Sequence, residues 1–148
     1  VYEVRWKCVN EAMKRDYDYM MWIDSDIFFT PNDFEKLLSH EKDIVSGLYF
    51  SQNTNSIYDI PNNYACVGID GKRITRYNTH SGLIEVKGNG MGWMLVKKGV
   101  FESIDKPFDP DGLRGEDTTF QMKALDKGFK SYVDTSLVVG HEKSFILH

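Results

Sequence analysis

At 148 residues the chain is sized for one domain around a single core, enough to bury roughly two-thirds of its unfolded surface. A hydrophobic share of 41% beside 27% charged residues excludes a disordered chain, and no run approaches the roughly 18 apolar residues of a membrane-spanning helix. The net charge of -4, with Lys and Arg scattered singly or in pairs such as Lys97-Lys98, leaves no basic stripe and argues against a nucleic-acid partner.

Residues 1–16 read as a helix with Tyr2, Trp6, Val9 and Met13 on one face. Asp16-Tyr17-Asp18 then turns into the stretch YMMWIDSDIFFT, residues 19–30, around which the rest is organised. Its first part, residues 19–23, is nearly free of charge and rich in large apolar side chains, which predicts a strand buried on both faces of a sheet. Asp24 and Asp26 follow at spacing i, i+2, which lets both carboxylates approach one cation from a strand end. Mg²⁺ and Mn²⁺ take oxygen ligands, and Mg²⁺ is usually held by one or two carboxylates with substrate phosphates completing the shell. The pair therefore reads as a metal and diphosphate site. Two aspartates at this spacing also simply end strands, so the reading draws its weight from the rest of the chain.

Thr30 stands as an N-cap with Pro31 at the first helical position, and Phe29 and Phe34 flank them as a hydrophobic staple. The helix is predicted over 31–40, burying Phe34, Leu37 and Leu38. Strand, turn and helix make a βα unit, and ligands of open α/β sheets collect at the carboxyl ends of strands. A second strand is predicted over 43–50, then a polar loop over 51–63. Residues 64–69 and 73–77 flank Asp70-Gly71-Lys72 as a hairpin, and 83–87 form a further strand.

The segment GNGMGW places Gly88, Gly90 and Gly92 at alternate positions before a strand over 93–96. Neither order nor spacing fits a dinucleotide fingerprint. Alternate glycines let backbone approach a ligand closely, or else mark a bulged or tightly packed strand. Residues 100–104 make a helical turn, 105–115 a loop, and 118–127 a helix burying Phe120, Ala124 and Leu125, with Gly128 as its stop. Asp117 at its start also suits an N-cap or a first-turn charge. Short strands over 132–134 and 137–139 lead to Gly140-His141, while His40, His80 and His148 have no such context. Cys8 and Cys66, distant and in apolar settings, read as buried thiols.

IDSD after a strand, GNGMGW before a strand, GED opening a helix and GH after a last strand stand in one order over residues 19–141. That series resembles the GT-A fold glycosyltransferases, particularly the family 2-like nucleotide-sugar enzymes. The resemblance implies an α/β/α sandwich, Rossmann-like with a mixed central sheet, and a single domain over 1–148 forming the later portion of the catalytic domain. It implies that Asp24 and Asp26 hold Mn²⁺ or Mg²⁺ and the donor diphosphate, with His141 completing the metal shell. It puts the Gly88 to Trp93 segment, with Gly90 and Gly92, beside donor sugar and acceptor. It makes Asp117 the general base of an inverting transfer and sets Glu116 near the acceptor. Trp93, with Tyr49, has a ring that suits a sugar face, although core packing accounts for either aromatic.

The implied partners are a nucleotide-sugar donor and a glycan, glycoprotein or other hydroxyl acceptor. Only 23 residues precede Asp24, whereas the family carries nucleotide-binding strands there, so the chain is expected to be a fragment. A soluble, cytoplasmic setting is favoured over secretion. Two rival readings stand beside the transferase: a non-catalytic sugar- or nucleotide-binding module of the same fold, and a metal-dependent nucleotidyltransferase.

Overall fold

The computed structural model describes residues 2–51, 63–79, 81–109, 112 and 114–142. Most of the polar loop predicted over 51–63, together with His80 and His148, lies outside them. The molecule is a mixed α/β protein whose seven-stranded sheet carries helices packed on its faces.

Helix α1, Tyr2–Met13, buries Val9 and lays Trp6 and Met13 against the core, while Tyr2 stays exposed. Strand β1, Tyr19–Ile23, carries the apolar run. Period-two alternation sends Met20 and Trp22 into one core cluster and Tyr19 and Met21 into another, so both faces meet apolar partners. The strand nonetheless lies at the sheet edge and, among the described residues, pairs only with β7, Trp93–Lys97. Ile23 is therefore 48% exposed, and the expectation of a strand buried on both faces is corrected to an edge strand with one long side open. The fully buried strand is β3, Ile44–Leu48, which lies between β7 and β8, Ser131–Val138.

Strand β8 is continuous where the sequence suggests two pieces. Thr135 and Ser136 interrupt its apolar pattern, and the register against β3 slips between Gly47 and Leu48. The parallel pairing of β3 with β8 contrasts with the antiparallel pairs elsewhere in the sheet. Its order runs from β1 through β7, β3 and β8 to β6, Leu83–Asn89, then β4, Asn63–Gly68, and β5, Arg73–Thr75. A two-stranded ribbon of β2, Ile27–Phe28, and β9, Gly140–His141, sits beside it.

Helix α2, Pro31–Ser39, starts on a capping box: the Thr30 hydroxyl accepts the Asp33 N–H while the Asp33 carboxylate accepts the Thr30 N–H at 2.7 Å. It meets the core through Leu37, fully buried, and Phe34, half-buried against the same cluster, whereas Leu38, expected to be buried, stays 37% exposed. After α3, Lys98–Glu102, helix α4 runs over Glu116–Asp126. Phe120 and Ala124 are buried, but Leu125 is 54% exposed and so faces solvent rather than the core. The end of α4 is a Schellman motif: Gly128 at φ 89° donates to the Leu125 carbonyl and Phe129 to that of Ala124. Among the described residues no helix is long and apolar enough to cross a membrane.

Candidate functional site

The two aspartates sit on the turn between β1 and β2. The Ile27 N–H donates to the Asp24 carbonyl at 3.1 Å, closing that turn, and the Asp24 N–H donates to the Gly92 carbonyl at 2.8 Å. The Glu142 N–H donates to the Asp26 carbonyl at 2.8 Å, so β9 is laced to the same turn. This brings His141, remote in sequence, onto Asp26.

The His141 ring is fixed from both ends. Its Nδ1 is 2.6 Å from the Phe50 carbonyl oxygen and its Nε2 is 3.1 Å from Asp26 Oδ2. A carbonyl oxygen only accepts, so Nδ1 carries a proton. In the neutral ring Nε2 turns a lone pair towards the carboxylate oxygen, and in the imidazolium it donates to it. That donor pair, one carboxylate and one imidazole, fits a divalent metal of the Mn²⁺ kind.

Asp24 is engaged differently. Its carboxylate lies 3.7 Å from Arg5 Nη2, and Arg5 Nε is 3.5 Å from the Glu116 carboxylate. Arg5, with its side chain 14% exposed, also lies over the Trp22 ring at 5.0 Å. One guanidinium thus ties the turn after β1 to the first residue of α4. Among the described residues no three His, Cys, Asp or Glu side chains stand together as a metal-holding group. Asp26 and His141 are paired, while Asp24 is turned towards Arg5.

Sequence reasoning missed Arg5. The available signal is its place on α1: Tyr2, Arg5, Trp6 and Val9 follow the i, i+3, i+4, i+7 spacing of a buried face, and a lone charge in such a stripe needs a partner.

Tyr49 lies at the centre. Its hydroxyl accepts the Gly92 N–H at 2.9 Å, and its ring meets that of His141 edge-on at 5.5 Å. A Cβ added at Gly90 would collide with the Tyr49 hydroxyl, and one at Gly92 would stand 2.9 Å from both that hydroxyl and Asp24 Oδ2. Close packing against Tyr49 and Asp24 therefore accounts for these two glycines. Burial first, then the nearby Asp24 and Asp117 charges, push the Tyr49 hydroxyl well above its ordinary range, so it stays protonated.

Asp117 lies in the first turn of α4, whose N-cap is Gly115, and its Oδ1 accepts the Thr118 N–H at 2.7 Å. It lines a cavity of about 320 Å³ together with Gly88, Gly90, Cys66, Arg73 and Lys87. Trp93, expected beside an acceptor, is instead 0% exposed, with its ring against Gly47 and Phe29. Tyr49 is 8% exposed, so neither ring offers an open face to a sugar. The cysteines also part from expectation: Cys8 is exposed, whereas burial pushes the Cys66 thiol up to about 12, leaving it inert.

Fold and site together define a mixed α/β protein whose turn after the first strand pairs Asp26 with His141 and Asp24 with Arg5. Among solved structures it resembles the crystal structure of A197 from STIV, with a TM-score of 0.66 at 20% identity, over 97% of this chain and 68% of that one. At that identity the likeness speaks for the fold alone. No protein-family model and no curated protein matches the chain.

Proposed function

We propose that this chain is the catalytic core of a metal-dependent glycosyltransferase of the GT-A type, moving a sugar from a nucleotide-diphosphate donor to an acceptor hydroxyl with inversion. The observation that supports this reading is that three distant segments supply two linked sets, Asp26 with His141 and Asp24 joined through Arg5 to Glu116, with Tyr49 against His141 and Gly92 and with Asp117 lining a nearby cavity.

When bound, a divalent cation supplies Lewis-acid stabilisation for the negative charge that grows on the departing diphosphate. Asp26 and His141 would hold it, and Asp24, now beside Arg5, is the further carboxylate on the same turn. The Phe50 carbonyl keeps a proton on His141 Nδ1, so Nε2 is the atom that would face the ion. On the acceptor side, Asp117 takes the hydroxyl proton as that oxygen bonds to the anomeric carbon and the bond to the diphosphate breaks. Oδ1 is committed to the Thr118 N–H, which assigns the proton to Oδ2. Glu116, anchored by Arg5, orients the hydroxyl, and Arg5 offsets the repulsion between the carboxylates.

The test is calorimetric titration of a panel of nucleoside diphosphates with and without Mn²⁺, beside a transfer assay. Binding is expected only with metal. Asp26→Asn is expected to abolish it, whereas Asp117→Asn keeps donor binding and lowers transfer by about 10²–10⁴-fold, the usual scale of a general base. Equal loss of donor affinity in both variants removes Asp117 from the base role. A second reading, a non-catalytic binding module, is favoured by one observation, the engagement of Asp24 by Arg5. Metal-dependent nucleotide binding with no transfer to any acceptor selects it.

A further inference from the structure

The cavity beside Asp117 has a charge at odds with the chain around it. The whole molecule carries a net -4, yet the charged side chains lining this hollow are two cations, Arg73 and Lys87, against the single carboxylate of Asp117. The cations come from the two strands that flank β4: Val67 pairs with Arg73 of β5 on one side and with Gly88, next to Lys87, on the other. Lys87 makes no hydrogen bond or ion pair among the described residues. Arg73 donates from Nη1 to the Tyr64 carbonyl at 3.2 Å and meets no carboxylate among them. Elsewhere in this protein lysines near carboxylates pair with them, as Lys130 does with Glu85 at 2.9 Å and Lys97 with Asp43 at 3.3 Å. Two cations with no ion-pair partner among the described residues, lining one cavity, make a receptor for an anion.

We infer that the cavity takes an acceptor that is itself anionic, a hydroxyl compound of sugar size carrying a carboxylate or a phosphate, with Arg73 and Lys87 on the anion and Asp117 at the hydroxyl. This rests on the proposed function only in calling the occupant an acceptor. Gly88 leaves the wall between the cations and Asp117 low: a Cβ there would meet nothing closer than the Gln121 side chain at 3.8 Å. Cys66, in the same wall, stays a neutral thiol and takes no part.

The test is binding alone, read by calorimetry and by the amide shifts of Gly88 and Gly90 on titration with methyl glucuronide, glucose phosphate and methyl glucoside. At least one charged probe is expected to bind about tenfold more tightly than methyl glucoside and to move both amides, a difference typical of one charge-assisted contact. Whichever charged probe binds more tightly assigns the anion as carboxylate or phosphate. Lys87→Gln, which breaks no hydrogen bond or ion pair among the described residues, is expected to remove most of that preference, and Arg73→Gln to remove it likewise. Equal affinity for charged and neutral probes overturns the inference, as does a preference that survives both variants. Anion-selective binding without any sugar transfer would sink the transferase reading and leave this one standing; transfer to neutral acceptors with no charge preference would do the reverse.

Discussion

Tyr49 holds its neighbours by volume as much as by its hydrogen bond, because no side chain fits where Gly90 and Gly92 meet it. Gly90→Ala forces a methyl group into the Tyr49 hydroxyl and is expected to cost about 1–3 kcal/mol, measured by denaturant unfolding. Tyr49→Phe removes that oxygen, so the double variant should recover part of the loss; strict additivity would show that the two residues do not press on each other. Asp134 is a second such residue, 2% exposed. Burial alone raises its carboxyl, but hydrogen bonds from Ser136 and His40, with the Lys36 charge, outweigh that and bring it down to about 2 from an ordinary 3.8. A carboxyl lowered on folding stabilises above its unfolded value and loses that contribution as pH falls towards the folded one. The stability gap between the protein and Asp134→Asn should therefore shrink by about 2 kcal/mol between about pH 5 and about pH 2. Sequence alone gives His40 no role because its partner, Asp134, stands 94 residues on, 2.8 Å away on β8, and nothing local announces that contact.

At the scale of elements, local chemistry was the legible part. Thr30 and Pro31 announce the start of α2, and the structure adds Asp33, whose carboxylate closes a capping box on Thr30. Thr30→Ala is expected to cost about 1 kcal/mol, read as a lowered midpoint at unchanged slope in denaturant. A loss near zero would mean that the Asp33 carboxylate, through the Thr30 N–H at 2.7 Å, suffices alone. Gly128 likewise ends α4 as its positive φ requires. Neighbours in the sheet were not legible, since apolar residues 19–23 look alike at an edge or a centre. Polar Thr135 and Ser136 hid the continuity of β8, because Ser136 is exposed and serves the buried Asp134 while the backbone stays extended. Leu125 and Leu38 fail for a related reason: a helix over a sheet buries a narrow stripe, and a large residue one step off it stays wet.

Across the whole molecule, Arg5 joins the opening helix to the turn after β1 and to the start of α4, spanning more than a hundred residues of chain. No pattern within one segment encodes that bridge, which is why the carboxylates could be named from sequence while their counter-ion could not. Among the described residues Arg5 is the cation paired with Asp24, so it competes for the carboxylate that a metal would use. Arg5→Met keeps an apolar stem over Trp22 and removes the charge. The Asp24 side chain is 50% exposed, so screening by water limits its pairing with Arg5 to about 1 kcal/mol. Mn²⁺ binding to the protein without nucleotide, followed by water-proton relaxation, is therefore expected to tighten by about fivefold in Arg5→Met. The same variant should lose about 1 kcal/mol of stability, because Asp24 and Glu116 then face each other without a cation between them. Unchanged Mn²⁺ affinity together with lowered stability would make Arg5 a purely structural tie. Tightened affinity that vanishes on adding Asp24→Asn would place Asp24 in the metal shell beside Asp26 and His141, with Arg5 as the group that holds it back until donor and metal arrive.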